Sequence, residues 1–333
     1  FLGFKIMKIR LNMNEMYKVP PKEILNPTKK SINQINRYTP QEDVDLLVDH
    51  LSNYAKVPQE SIFLSPGSDL LIKEFIFLFS SNRQIIIADP TFIVINNSAQ
   101  NTNSALLKIK LNEPNYQFSL ESLINELEAP TLIVFDNPNN PTGNLILTQE
   151  DIETILDHKN VILLIDEAYY EFCKVSYVEL VETYPNLAVL RTLSKSFGLA
   201  GSGIGYLIAG DLIRKKFQGL EIMLPYPSVI AGIKALEHQE YVEEYINEVE
   251  AEKKRIISFS SELGMTVYPS YTNFLFMKTK LHNISKKLEE QGVLVHDVSH
   301  QLGSEYIRVT IGSKKENDFF LESLKNIIIN AKD

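Results

Sequence analysis

The sequence predicts an α/β fold, in which a large domain built on a mostly parallel sheet is joined to a smaller α+β unit. Three observations predict it. Between residues 60 and 210 short β-rich runs alternate with longer amphipathic stretches, the pattern of strands and helices taken in turn along a parallel sheet. Those runs are apolar throughout rather than at every second residue, which suits strands buried on both faces. After Pro225 and Pro227 the texture changes to a long charged helix followed by short strands.

In chain order, the strand candidates are "SIFL" from Ser61, "QIIIA" from Gln84, "TLIVF" from Thr131, "NVILLID" from Asn160, "LAVLR" from Leu187 and "IGYLIA" from Ile204. The stretches "DLLIKEFIFLF", "SLESLINELE" and "TQEDIETILDH" between them have helical spacing. Ser119 and Thr148 open the last two as N-caps, where a side-chain oxygen can accept from a free N–H of the first turn. Beyond the prolines, "EYVEEYINEVEAEKKRIISFSSEL" reads as one helix with a solvated face of i,i+4 ion pairs. Then "MTVYPS", "NFLFMK", "VLVHD" and "EYIRVTIG" supply the smaller unit. The expected division is a large domain over 37–234 and a small domain formed by 1–36 with 235–333.

At 333 residues with 44% apolar content the chain can fill a sizeable core. Its net charge of −9 argues against a nucleic-acid surface and for small-molecule partners. Cys173 is the only cysteine, so no intramolecular disulfide forms, and a reducing cytoplasm is the expected compartment. The six histidines show neither HExxH nor an i,i+4 pair, and no metal is expected. No apolar run reaches the roughly 20 residues of a membrane span, since "LLIKEFIFLF" carries Lys73 and Glu74. The opening "FLGFKIMKIRLN" is interrupted by Lys5, Lys8 and Arg10 and does not read as a secretory signal; Met7 is a candidate natural start.

Three features end or follow strand candidates, the place where open α/β sheets bind ligands. Asp166 ends "VILLID" and reads either as a cap for the next helix or as an acid facing a cleft. "DNPNNPTGNL" places Asn137, Asn139 and Asn140 among prolines, which by itself marks a tight turn. Lys195 follows "LAVLRT" in a loop of hydroxyls and glycines. It is either a surface lysine or an amine whose pKa burial lowers enough to attack a carbonyl. Thr192, Ser194 and Ser68, with free backbone N–H groups, are what a phosphate needs.

A cofactor with a phosphate, an aldehyde and a basic ring nitrogen answers all three features, and that cofactor is pyridoxal 5′-phosphate (PLP). A lysine captures the aldehyde, and an aspartate keeps the ring nitrogen protonated so that the ring accepts electrons. Asp166, Asn140 with Tyr169, and Phe92 of "ADPTF" can serve the ring nitrogen, the phenolic oxygen and the ring face.

The ordered motifs "LNMNE", "INRYTP", "SPGSD", "DPTF", "DNPNNPTGNLI", "IDEAYYEF", "YPNLAVLRTLSKSFGLAG", "PYP", "PSYTNFLF" and "IRVTIG" span nearly the whole chain. With them the sequence resembles the fold-type I PLP aminotransferases, and within these the histidinol-phosphate aminotransferase family most. The resemblance implies an aspartate-aminotransferase-like fold with a seven-stranded sheet. It implies Lys195, Asp166 and Tyr169 as catalytic residues. It places Asn140, Phe92, Gly67, Ser68, Asp69, Thr192 and Ser194 at the cofactor, with Tyr38 reaching the phosphate of a neighbouring subunit, hence a homodimer. Arg308 and Asn14 match substrate-side positions.

The sequence departs from the family in having Gly203 where an arginine pairs with the phosphate, His296 where a second substrate-side arginine stands, and little chain ahead of "LNMNE". The expected reaction converts histidinol phosphate and 2-oxoglutarate to imidazole-acetol phosphate and glutamate, a step of histidine biosynthesis. The alternative is a related PLP enzyme acting on another amine, an aromatic or aspartate aminotransferase or a threonine-phosphate decarboxylase. A dinucleotide-binding reading of "GSGIGY" fails because its glycines precede a strand and lack the GxGxxG spacing. A Ser194–Lys195 hydrolase dyad fails because adjacent side chains point apart. A protein that has lost the cofactor has only Gly203 in its favour.

Overall fold

The computed structural model describes residues 8–220 and 223–331, so the candidate start at Met7 lies outside the described residues. Among the described residues the elements begin with β1 (Ile9–Leu11), α1 (Lys22–Ser31), α2 (Gln41–Ala55), β2 (Ile62–Pro66), α3 (Ser68–Phe79), β3 (Gln84–Asp89) and α4 (Ile93–Gln100). It continues through β4 (Leu106–Lys110), α5 (Leu120–Ile124), β5 (Thr131–Asp136), α6 (Gln149–Leu156), β6 (Val161–Asp166), α7 (Tyr170–Cys173), β7 (Leu187–Thr192) and β8 (Ile204–Ala209). After α8 (Asp211–Phe217), α9 (Tyr226–Glu237) and the long α10 (Glu240–Glu262) come β9 (Thr266–Val267), β10 (Phe274–Lys278), α11 (Ile284–Glu290), β11 (Val293–Asp297), β12 (Tyr306–Thr310) and α12 (Lys314–Asn330).

A seven-stranded sheet runs β2-β8-β7-β6-β5-β3-β4. Its neighbours from β7 to β4 are parallel, and β8 runs against both β7 and β2. Each continuous apolar run becomes a strand, and those of β5, β6, β7 and β8 are buried on both faces, whereas β2 at the sheet edge is only partly buried. In β6, Leu163 and Ile165 enter one core cluster while Ile162 and Leu164 enter the other. Helices α3, α4 and α8 cover the second cluster with Phe75, Ile95 and Phe217. Each such side chain, fully withdrawn from water, stabilises by about 1.5–3 kcal/mol before entropy is counted.

The seventh strand, β4, has no counterpart among the six apolar runs. It is an edge strand whose residues alternate in exposure, with Lys108 and Lys110 in it, so it carries no continuous apolar signal. The caps behave as their residue types dictate. Ser119 accepts from the Ser122 N–H, and Thr148 forms a reciprocal capping box with Asp151. Helix α5 nevertheless stops at Ile124, well short of the "SLESLINELE" stretch.

The C-terminal strands form a five-stranded sheet, β1-β11-β12-β10-β9, into which the N-terminal arm adds β1 parallel to β11. Between β1 and α2, helix α1 packs on α9. We retain the division at 37 and 234 as a proposal about folding units.

Candidate active site

The carboxyl ends of the parallel strands open into a cleft of about 630 Å³, lined among others by Lys195, Asp166, Asn140, Asn14, His296 and Arg308. Residues far apart in sequence meet here because β5, β6 and β7 are neighbours, while β12 brings Arg308 across from the other sheet.

Asp166, the last residue of β6, is buried and accepts the Ala168 N–H at 3.0 Å. Burial first, and then the Asp136 carboxylate, push its pKa up to about 8. It forms no ion pair among the described residues. Lys195 lies in the loop between β7 and β8, its Nζ 3.4 Å from the Met13 carbonyl. Burial and the Arg308 guanidinium lower its pKa to about 8, which leaves a usable fraction of neutral amine near neutral pH.

Tyr169 Oη accepts from Asn14 Nδ2 at 2.7 Å, which leaves its own O–H to donate. Burial holds that phenol protonated, with its pKa pushed up to about 12. Asn14 is itself clamped. Its N–H donates to Thr310 Oγ1 at 2.9 Å, and Asn273 Nδ2 donates to its carbonyl at 3.1 Å. Arg308 donates to Asn140 Oδ1 and to the Asn12 carbonyl, both at 2.6 Å.

The sequence gives no role to Asp136, yet it organises this corner. It accepts from Thr91 Oγ1 at 2.7 Å, from the Phe92 N–H at 3.2 Å, from Asn139 Nδ2 at 3.0 Å and from the Asn140 N–H at 2.6 Å. One carboxylate thus sets both Phe92 and Asn140. The signal was in the sequence, since "TLIVFD" ends an apolar run in aspartate just as "VILLID" does. Asn137 and Asn139 are turn residues. Asn137 Oδ1 accepts from the Ile146 and Leu147 N–H groups, and Asn139 Oδ1 accepts from Thr142 Oγ1.

The phosphate-side residues divide. Gly67 has φ +92 and precedes the first turn of α3, so the Ser68 and Asp69 N–H groups stand at a helix N-terminus, suited to an anion. Gly205 packs against that turn so closely that a Cβ there falls 2.4 Å from the Ser68 nitrogen. Gly203, at φ +57, has room, because a Cβ there lies 3.8 Å from the Gly67 nitrogen. Ser194 lines the cleft, but Thr192 does not. The buried Thr192 hydroxyl bonds the Ile204 carbonyl and Ser194 Oγ, so it shapes the loop from inside. Tyr38 is 85% exposed and stands outside the cleft of its own chain.

His296 of β11 pairs in register with Arg308 of β12. Burial and the Arg308 charge push its pKa down to about 4, so at neutral pH it is a hydrogen-bonding imidazole and not a second cation.

Residues 6–324 match the family model for aminotransferase class I and II. The chain belongs to this family. The histidinol-phosphate aminotransferase of Sulfurisphaera tokodaii is 31% identical over 330 residues, 97% of this chain and 91% of that protein. The solved histidinol-phosphate aminotransferase of Sinorhizobium meliloti, in complex with pyridoxal-5′-phosphate, shares the fold at a TM-score of 0.88. It is 22% identical and covers 98% of this chain and 92% of its own. The L-threonine-O-3-phosphate decarboxylase of Porphyromonas gingivalis shares it at 0.81 and 20% identity, over 96% of this chain and 99% of its own.

This aminotransferase is a PLP-dependent transaminase with the aspartate-aminotransferase-like fold. Its cleft fits that cofactor on its own terms. A buried carboxylate that forms no ion pair among the described residues lines the cleft, as a protonated ring nitrogen would require, and an amine whose pKa burial lowers lines the same cleft. Among the described residues no three His, Cys, Asp or Glu side chains gather to hold a metal, and no helix is long and apolar enough to cross a membrane.

Proposed function

We propose that this aminotransferase exchanges an amino group between histidinol phosphate and 2-oxoglutarate, giving imidazole-acetol phosphate and glutamate. The observation that carries the substrate choice is the near-full-length similarity to the Sulfurisphaera tokodaii histidinol-phosphate aminotransferase. When bound, PLP supplies an electron sink for the carbanion left by loss of the substrate's α-proton.

The chain's own residues do the rest. Lys195 Nζ would hold the cofactor between turnovers and, when free, would take the proton from the substrate's α-carbon. Its lowered pKa suits it to both tasks. Asp166 would hold the ring nitrogen of the bound cofactor, a positive partner that favours its ionised form. Tyr169 and Asn140 donate to the ring's phenolic oxygen, and Phe92 covers a ring face. Gly67, Ser68, Asp69 and Ser194 cradle the phosphate. Arg308, buried and braced by Asn140 and Asn12, anchors the phosphate of one substrate and the carboxylate of the other. Asn14 holds Tyr169, and His296 offers a neutral hydrogen bond beside Arg308.

The protein works as a cytoplasmic homodimer in this reading. Tyr38 supports the dimer, since it is exposed, as are Ile32 and Ile35 of the same segment, and does not line the cleft of its own chain.

One observation favours a second reading. With His296 neutral and Gly203 without a side chain, the cleft offers less positive charge to phosphorylated ligands than the sequence family implies. An aromatic or aspartate donor, or decarboxylation of threonine phosphate, is the alternative. Parallel rate measurements with histidinol phosphate, tyrosine, aspartate and phosphothreonine decide it. Histidinol phosphate is expected to react fastest, and if it reacts slowest the proposal is wrong.

A further inference from the structure

Behind the cleft lies a polar cluster that the reaction leaves without a task. Asp166 is followed by Glu167, Tyr169 by Tyr170, and Thr192 is preceded by Arg191. Asp166 and Tyr169 line the cleft, whereas Glu167 and Arg191 are buried on the reverse side, 1% and 2% exposed.

Arg191 Nε donates to Glu167 Oε2 at 3.0 Å. Its Nη2 donates to Ser176 Oγ at 2.5 Å, and Ser176 Oγ in turn donates to Glu167 Oε2 at 2.8 Å. The guanidinium carbon sits 3.6 Å from the centroid of the Tyr170 ring, close enough for a cation–π contact. Glu167 Oε1 accepts the Tyr177 N–H at 2.7 Å. Tyr206 stands opposite Arg191 in the β7–β8 register, and Glu171, which accepts from Tyr54 Oη at 3.2 Å, adds a second buried carboxylate.

We infer that Arg191 is a positioning residue for the reaction: one guanidinium, held by Glu167 and Ser176 and laid on Tyr170, locks together the reverse sides of the segments that present Asp166, Tyr169 and Lys195. The argument turns on where the sheet stops. Backbone bonds join β6 to β7 only as far as the Glu167 N–H, which donates to the Leu190 carbonyl at 2.8 Å. Past that point the turn to Tyr169 has left the ladder, and its angle to the Lys195 loop is set by side chains. A buried ion pair is poor at adding stability, because desolvation offsets its attraction. A planar fork with fixed donor directions is good at fixing an angle. A change in such an angle that displaces a reacting group by about 1 Å costs on the order of a hundredfold in rate.

The inference rests on the roles given above to Lys195 and Asp166. The test uses the full-length Arg191→Lys protein loaded with PLP, read by PLP affinity, by the pH titration of the visible cofactor band, and by kcat and KM for histidinol phosphate. Lysine keeps the charge and loses the fork. The expected result is a PLP dissociation constant raised about tenfold, a displaced midpoint of the band's titration, and kcat down about 10- to 100-fold with KM within about threefold.

A lowered melting temperature with band, affinity and kcat all unchanged overturns the inference and leaves Arg191 a brace. If Arg191→Lys does not fold, Ser176→Ala removes one acceptor and keeps the ion pair. It is expected to move the band's midpoint in the same direction and lower kcat by about threefold, and no movement in either overturns the inference. Wild-type protein that forms no visible band with PLP is a separate outcome, which overturns the cofactor roles of Lys195 and Asp166 and this inference with them.

Discussion

Asp136 and Asp166 stand side by side in register at the carboxyl ends of β5 and β6, with opposite surroundings. Asp136 has both oxygens filled by donors from Thr91, Phe92, Asn139 and Asn140, whereas Asp166 receives the Ala168 N–H. Asp136 is thus a builder of the site, whereas Asp166, buried and accepting from Ala168, leaves capacity for a further donor.

This difference predicts the pH dependence of the cofactor-free protein. Asp166 has a folded pKa of about 8, above the roughly 3.9 of an unfolded aspartate. The unfolded chain therefore loses its proton first, and this group's contribution to stability falls as pH rises from about 4 to about 8, then stays level. Melting temperatures of wild type and Asp166→Asn without cofactor, compared at pH 5.5 and pH 8.5, test this. The wild type is expected to lose more over that range, and parallel losses refute it.

Lys195 predicts a rate. Only the neutral amine captures PLP, and its pKa of about 8 makes the capture rate climb about tenfold per pH unit below that value and level off above it. Stopped-flow absorbance on cofactor-free protein measures the profile. Lys195→Ala is expected to form no visible band and to lose at least about 10³-fold in kcat.

The two glycines at the phosphate side should respond oppositely to substitution. Gly203→Arg places a side chain where a Cβ has ordinary van der Waals room, at the cost of about 1–2 kcal/mol for the left-handed backbone. A charge-assisted bond to the phosphate returns about 1.5–3 kcal/mol. PLP is expected to bind about threefold tighter or better. Gly205→Ala pushes a methyl against the Ser68 nitrogen and is expected to weaken PLP at least about tenfold. Fluorescence titration gives both constants, and equal behaviour of the two variants contradicts the geometry.

Away from the cleft, Glu113 gathers the hydroxyls of Tyr116, Tyr268 and Tyr306 and the Lys278 ammonium. The bonds from Tyr306 and Tyr268 depress its pKa to about 2. Its folded pKa lies below the unfolded one, so the stability it contributes is present above about pH 4 and is lost as pH falls toward about 2. Urea unfolding should show Glu113→Gln less stable than wild type at pH 7, with the gap closing in acid. A gap independent of pH argues against the clasp.

How much was legible in the sequence depended on the kind of signal. Continuous apolar runs announce strands, so β2, β3, β5, β6, β7 and β8 are readable, and β4, whose run is broken by Lys108 and Lys110, is not. Residues that meet the cleft by ending a strand were readable in the same way, as Asp166 shows. Asp136 carries the same signature, but the prolines and asparagines after it read as a turn and hide its role. Composition cannot say which way the Thr192 hydroxyl points; it bonds the Ile204 carbonyl. Arg191 was invisible as anything but a strand residue, since its partners Glu167, Tyr170 and Ser176 meet only in three dimensions.

The pairing of β7 with β8 has a further consequence. Because those strands are antiparallel neighbours, the loop bearing Lys195 has both its ends tied into the same sheet. Such a loop does not fray independently, so cofactor colour reports on cooperative melting rather than on local breathing. A protein bleached by heat or urea should already have lost its large sheet.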